Sequence, residues 1–403
     1  MGLNFNDTSK AFRYKTDAQL KKALLLFRTM QFGPLVTLGT RLTPWAMKIG
    51  MPIKTLIRNT LFEQFVGGES LEQTHHVATL LDQYNVKVIL DYGVEGGADD
   101  DEKFEKEKNK FIEVIEFASK EKNIPYISIK ISGLTSTELL SKLDHTIQRG
   151  LKSNSSLTFE EQFAKLTQID KAEWQKLIER TSSICLAASK HEIGVMVDAE
   201  ESWFQDAIDQ ITYMMMREFN SGKAVVYNTI QLYRSDRLLH LKEHLASARK
   251  EKFFTGLKLV RGAYMEKERE RATKMGYPSP IQPNKDATDR DYDEGVKICM
   301  ENMDIVRLIV ASHNEKSTLK ATQNSKDQTA DLHFSQLYGM SDHLTFNLAD
   351  AGYSVSKYLP FGPLEEVIPY LMRRAQENSS LSGQTGRELE LLEKEKSRRK
   401  GKI

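Results

Sequence analysis

Three observations predict an α/β fold of the (βα)8 TIM-like barrel type, with an N-terminal helical extension and a C-terminal helix over the barrel mouth. From residue 86 onward, short β-branched runs alternate with longer amphipathic ones, the pattern of parallel βα units. Eight such runs occur, and eight is the number at which parallel strands close with both faces covered. No GxGxxG follows any of them, which weighs against an open doubly wound sheet.

The eight runs are VKVILDYG (86–93), IPYISIKISG (124–133), IGVMVDAE (193–200), AVVYNTIQLY (224–233), GLKLVRGAY (256–264), VRLIVASHN (306–314), LHFSQLYGM (332–340) and YSVSKYLPFG (353–362). Helical stretches such as 107–122 and 203–219 lie between them, and a long helical insert (134–192) separates the second and third units. The barrel is expected over 81–380, a helical extension over 1–80 and a charged tail over 381–403. That tail reads as a helix that frays into a basic end.

Lys+Arg total 57 against Asp+Glu 56, so the net charge is +1 and a general nucleic-acid binder is disfavoured. Two cysteines without a CxxC make a disulfide framework unlikely to be the basis of the fold and point to a reducing compartment. The N-terminus lacks a secretory pattern, and no apolar run approaches the roughly 20 residues that span a bilayer. A cytoplasmic protein is expected. Residues 18–66 are the local exception: Lys21, Lys22, Arg28, Arg41, Lys48, Lys54 and Arg58 stand against Glu63 alone. A solvated helical face packed on the barrel is the ordinary explanation of such a run. Contact with an anionic membrane is the functional one. Pro34, Pro44 and Pro52 should break the stretch into short helices.

Catalytic groups of a barrel sit at the C-terminal ends of its strands. Here those ends carry Asp91 and Glu95, Lys130, Asp198 with Glu200 and Glu201, Gln231, Lys258 with Arg261, His313 with Asn314, Gln336, and Tyr358. Polar groups inside nearly every strand just before its end point into a dry interior, where they must be paired or functional. A plug of satisfied salt bridges is the alternative. In the last helix Tyr370, Arg373, Arg374 and Glu377 fall at i, i+3, i+4, i+7 and share one face. Adjacent arginines steadied by a glutamate can clamp a carboxylate, although an ordinary surface helix shows similar charge pairs. Pro369 leaves the start of this helix open. DRDYDEG (289–295) fails as a calcium loop because its glycine comes one place late and Met300 occupies the bidentate position. His75-His76 lacks an HExxH context, so no metal is expected.

Taken together, DAEES (198–202), YNTIQLY (227–233), KLVRGAY (258–264), ASHN (311–314), QLYGM (336–340), KYLPFGP (357–363) and YLMRRAQEN (370–378) resemble the proline dehydrogenase family. The resemblance runs from about residue 58, through FVGGES (65–70), to about 378. It implies an FAD-dependent barrel that oxidises L-proline to Δ1-pyrroline-5-carboxylate by hydride transfer from C5 to flavin N5, the first step of proline degradation to glutamate. Lys130, Asp198, Tyr358, Tyr370, Arg373, Arg374 and Glu377 match the substrate-site positions, with Leu337 against the proline ring and Glu95 pairing with the first arginine. By the same matching, Gln231, Lys258, Val260, Arg261, Gly262, Ser312, His313 and Asn314 are flavin-contacting positions. Lys258 precedes Arg261, the order of the monofunctional and mitochondrial branch. The resemblance also implies a membrane quinone as electron acceptor, which gives residues 18–66 a reason to touch the inner face of a membrane. Other readings remain open: a Schiff-base lyase or aldolase using Lys130 or Lys258, a non-catalytic scaffold, or hydroxyproline as substrate. Tyr370 stands where a bulky side chain crowds a C4 substituent, which favours proline.

Overall fold

The computed structural model describes residues 3–34, 36, 39, 53–93, 100–144, 159–324, 331–380 and 382–401. Eight strands close into a barrel in chain order: β1 (Lys87–Tyr92), β2 (Tyr126–Ile129), β3 (Gly194–Val197), β4 (Val226–Gln231), β5 (Thr255–Val260), β6 (Val306–Ala311), β7 (Leu332–Leu337) and β8 (Ser354–Phe361). Pairing is parallel, with Ile89 opposite Tyr358, Thr229 opposite Lys258, and Lys258 opposite Ile309. β3 is buried at all four positions and β4 at all six. Strands covered on both faces lose the polar alternation of a half-exposed sheet and read as continuous apolar runs. Most observed strands stop short of the sequence runs, because the polar motifs at their ends turn out of the ladder.

By compactness the chain divides into Met1–Val94 with Phe334–Ile403, and Glu95–His333. In the first of these units helix Asp17–Met30 buries Leu20, Ala23, Leu24, Phe27 and Met30, a stripe at helical spacing. Thr16 and Gln19 close a capping box at its start. The stripe shares one core with Leu389, Leu391 and Leu392 of helix Ser382–Arg399 and with Leu364, Val367, Tyr370 and Leu371 of helix Leu364–Ser380. Helix Ser382–Arg399 stays ordered to its last residue because Arg399 donates to the carbonyls of Phe12 (2.8 Å) and Lys15 (2.9 Å) and to Asp17 (2.8 Å). Helix Leu364–Ser380 starts well before Pro369 and carries that proline internally.

The basic excess of residues 18–66 is largely answered within this unit. Arg28 pairs with Glu393 (2.7 Å), Lys54 with Glu365 (2.5 Å), Arg58 with Glu69 (2.5 Å), and Lys22 with Glu63. Of the three prolines, Pro44 and Pro52 lie outside the described residues. Leu25, Phe32 and Leu56 of the segment are strongly exposed. Among the described residues no helix is long and apolar enough to cross a membrane.

In the second unit Asp100 caps helix Asp101–Ala118, Thr167 caps Gln168–His191 and Asn284 caps Lys285–Met300. DRDYDEG lies inside the last of these helices, where Asp289 and Asp293 are spent on Arg261 and Lys320. Helices Gln205–Phe219 and Arg237–Glu251 are joined by a buried charge network. Arg237 meets Asp209 (2.6 Å), Asp206 (3.1 Å) and Asp236 (2.7 Å), and Asp236 also holds Arg234 (2.7 Å). Burial alone would raise the Asp236 carboxyl, but Arg237 and Arg234 outweigh it and hold the group far below the usual carboxylate range. Removing the cation leaves the buried Asp206 and Asp209 carboxylates without it, while Asp236 keeps Arg234. Arg237→Ala is therefore expected to lose about 3–5 kcal/mol of unfolding free energy. Urea denaturation followed by circular dichroism measures this, and a loss under 1 kcal/mol would show the network to be dispensable.

Candidate active site

The second unit gathers its polar strand ends around one carboxylate. Lys130 follows β2, Asp198 follows β3, and Lys258 is the fourth residue of β5. Asp198 lies 3.7 Å from the Lys130 ammonium and is hydrogen-bonded by Lys258, so two ammonium groups flank one acid. The Asp198 N–H donates to Ile129 O (2.9 Å), which fixes the end of β3 beside that of β2.

Glu200 lies two residues further on and ties three strand ends together. Its carboxylate accepts the Ser132 N–H (3.1 Å) and the Ser132 hydroxyl. Its carbonyl accepts from Gln231 Nε2 (3.0 Å) at the end of β4, and its N–H donates to Gln205 (2.7 Å). Gln231 is buried, and its Oε1 has no partner among the described residues.

At the end of β5 Arg261 donates to Asp289 (2.8 Å), Ser312 (2.7 Å) and Ser317 (2.9 Å), with its guanidinium over the Tyr292 ring. That uses three of its five N–H groups. Gly262 has φ +135, and the Tyr233 ring lies where a Cβ would be, so no other residue fits without displacing that ring. Val260 ends β5, and its carbonyl accepts from Leu232 (2.9 Å). Ser312 is buried after β6, and His313 and Asn314 beside it are half-buried. Asn314 accepts the Ser317 N–H (3.1 Å) and so caps the helix that starts at Glu315.

The first unit carries a polar face on helix Leu364–Ser380. Arg374 donates to Glu377 (2.6 Å) and its guanidinium carbon sits 5.2 Å from the Tyr370 ring centroid. The Tyr370 hydroxyl and Arg374 Nε are buried and lack hydrogen-bond partners among the described residues. Two orphaned polar atoms one helical turn apart form a place for a polar ligand, since native interiors seldom leave such groups unmet. Arg373 is half-buried on the same helix. Burial raises the Glu377 carboxyl, against the pull of Arg374 and Arg373. Leu337 ends β7, and Tyr358 is half-buried in β8. Glu95 lies outside the described residues.

Several residues of weight here carried little sequence signal. Ser132, Ser317 and Asp289 act through other side chains, and nothing in their local pattern marks them. Glu200 was visible within DAEES as a polar strand end, though not its bond to Ser132.

The family model for proline dehydrogenase matches residues 74–387. The chain belongs to the proline dehydrogenase family. "Proline dehydrogenase 1, mitochondrial" of Dictyostelium discoideum is 30% identical over 98% of this chain and 74% of its own. "Hydroxyproline dehydrogenase" of Xenopus laevis is 32% identical over 98% of this chain and 90% of its own. Among solved structures, proline utilization A of Bdellovibrio bacteriovorus, inactivated by N-propargylglycine, matches with TM-score 0.68 at 21% identity, over 82% of this chain and 35% of that one. This likeness speaks for the barrel fold, and the chain spans about a third of that protein.

Burial pushes Glu200 up to about 7, with Glu201 adding to the rise and Ser132 and Lys130 opposing it. A carboxyl raised in the fold holds its proton longer there than in the unfolded chain. Its contribution is fully present below the unfolded value and lost as pH rises through 7. Between pH 5 and 8 this group should withdraw about 3 kcal/mol of stability. Glu200→Gln should flatten that part of the profile in urea titrations at the two pH values. An unchanged slope would mean that Glu200 is ionised throughout.

Proposed function

We propose that this family member oxidises L-proline to Δ1-pyrroline-5-carboxylate with FAD. The observation that carries the reading is the Tyr370–Arg374 face, where a buried cation and a buried hydroxyl await a polar, anionic ligand. The proline carboxylate supplies such a group. Arg373 and Arg374 bind it, Glu377 holds Arg374 in place, and Lys130 adds positive charge. Glu95 is assigned to the first arginine through the family resemblance.

The residues present fit a flavin. Gln231 keeps a buried acceptor without a partner among the described residues, and Lys258, Arg261, Ser312 and His313 form a donor-rich group at neighbouring strand ends, with Gly262 packed against the Tyr233 ring beside them. With Val260 and Asn314 they are the residues that would hold it. When bound, the flavin supplies the hydride acceptor for oxidation of the C–N bond. The chain's own part is to orient the ring carbon next to nitrogen, to exclude water, and to keep the amine neutral. Asp198, flanked by two lysines, steadies both cations. Leu337, Tyr358 and Tyr370 shape the ring pocket. The crowding assigned to Tyr370 favours proline over its hydroxylated form, the substrate named for the Xenopus relative.

Purified protein reconstituted with FAD should lose its visible flavin bands on anaerobic addition of L-proline. In Arg374→Met the bands should persist until proline is raised about 30-fold or more, since stranding a buried anion costs about 2–5 kcal/mol. A protein that takes up no flavin, or equal titrations for both proteins, would remove the assignment.

Electrons then pass to a quinone-type acceptor in a membrane, with the enzyme cytoplasmic and peripheral on the inner face. The fold changes the expected means of contact. Most of the described cations in 18–66 are paired, so exposed Leu25, Phe32 and Leu56 supply the affinity rather than charge. Flotation with liposomes should accordingly survive high salt and fall when Leu25 and Phe32 become serine. Binding abolished by salt alone would return the role to the basic residues.

A further inference from the structure

The turn between β7 and helix Asp342–Asp350 is held far more tightly than its length requires. It contains two left-handed residues, Gly339 (φ 78) and Ser341 (φ 51). The second is unusual for a residue with a side chain and is sustained only where the surroundings over-determine it. Ser341 makes no side-chain cap for the helix it begins.

Four distant segments supply the restraint. Lys357 of β8 is fully buried; its ammonium donates to Met340 O (2.5 Å), lies 3.5 Å from Leu337 O and pairs with Asp342 (2.9 Å). Gln64 donates to Gly339 O (2.7 Å), and its own carbonyl lies where a Cβ on residue 339 would be. Glu388 of the C-terminal helix, itself buried, accepts the Ser341 N–H. Near the N-terminus the Tyr14 hydroxyl donates to Asp342 (2.7 Å), with Lys15 at 3.7 Å. An apolar filling of this volume would cost less than buried charges. What the charges provide is a fixed backbone path.

That path begins at Leu337. Lys357 also precedes Tyr358, and alternation along a strand sends the two to opposite faces. One residue step of β8 thus joins the back of the turn to a ring-pocket side chain. We propose that Lys357 and Glu388 are positioning residues that set ring selectivity by fixing Leu337, so that the site accepts an unsubstituted five-membered cyclic amino acid. This rests on the reading of the site as a proline site.

The test compares holoenzymes of the parent, Lys357→Met, Glu388→Ala and Glu388→Gln. Steady-state constants are measured for L-proline, trans-4-hydroxy-L-proline and the six-membered L-pipecolate, with thermal melting alongside. Binding of an unreactive five-membered ring carboxylate is measured by calorimetry. Glu388→Ala and Lys357→Met are expected to raise KM for L-proline about tenfold with a smaller change in kcat, and to narrow its kcat/KM advantage over the larger rings about tenfold. The ring carboxylate should weaken in parallel. Glu388→Gln, which keeps an oxygen acceptor for Ser341, should recover most of both. Lower melting temperatures with selectivity and KM unchanged would overturn the proposal and leave a purely structural clasp. If Lys357→Met does not fold, the Glu388 pair decides alone. A parent enzyme inactive on L-proline would defeat the underlying reading and this inference with it. An active parent whose Glu388 variants keep its selectivity defeats the inference only.

Discussion

A closed parallel barrel is dry on both faces of every strand, and that constraint governs where this protein can place polar groups. Within the strands they are answered by the protein itself, as when Thr229 Oγ1 donates to Val197 O (2.7 Å) and Asn228 donates to Asp209 (3.0 Å). At the strand ends the answers are shared. Asp198 serves two lysines, and Glu200 serves both a neighbouring loop and the Gln231 side chain. Each strand end is held by its neighbours, so precision in the reacting groups comes from the ladder rather than from single bonds.

Much of the barrel was legible in the sequence, because period and β-branching record burial. The apolar run marked β3 at sight, and its burial on both faces explains why alternation was missing. The ends of the runs were less legible. A stretch such as KLVRGAY reads as one continuous strand, yet the ladder stops at Val260, since Arg261 must turn toward Asp289 and Ser312. Motif residues that face a ligand were found by their type and position. Residues that act on other residues were not: Ser132, Asp342 and Glu388 owe their weight to partners dozens to hundreds of positions away, and no local pattern records such distances.

Charge was the least faithful guide. The cluster in residues 18–66 looked unbalanced because its acids, Glu69, Glu365 and Glu393, lie elsewhere in the chain. Helix Ser382–Arg399 read as a charged helix fraying into a basic end because three leucines are easily overlooked among its charges. Local charge counts describe a surface only when the partners are also local.

The first compact unit is assembled from the two extremes of the chain. Leu20, Leu24 and Phe27 pack on Phe62 and Phe65 but complete their core only with Leu389, Leu391 and Leu392, and Arg399 makes its three bonds to residues 12–17. During synthesis helix Asp17–Met30 therefore leaves the ribosome more than three hundred residues before Leu389 can complete its packing surface. The second unit is contiguous in sequence and carries no such wait. Vectorial folding favours it, while the apolar face of helix Asp17–Met30 stays partly uncovered until the last of its core partners is made, the interval in which a nascent chain most needs a chaperone.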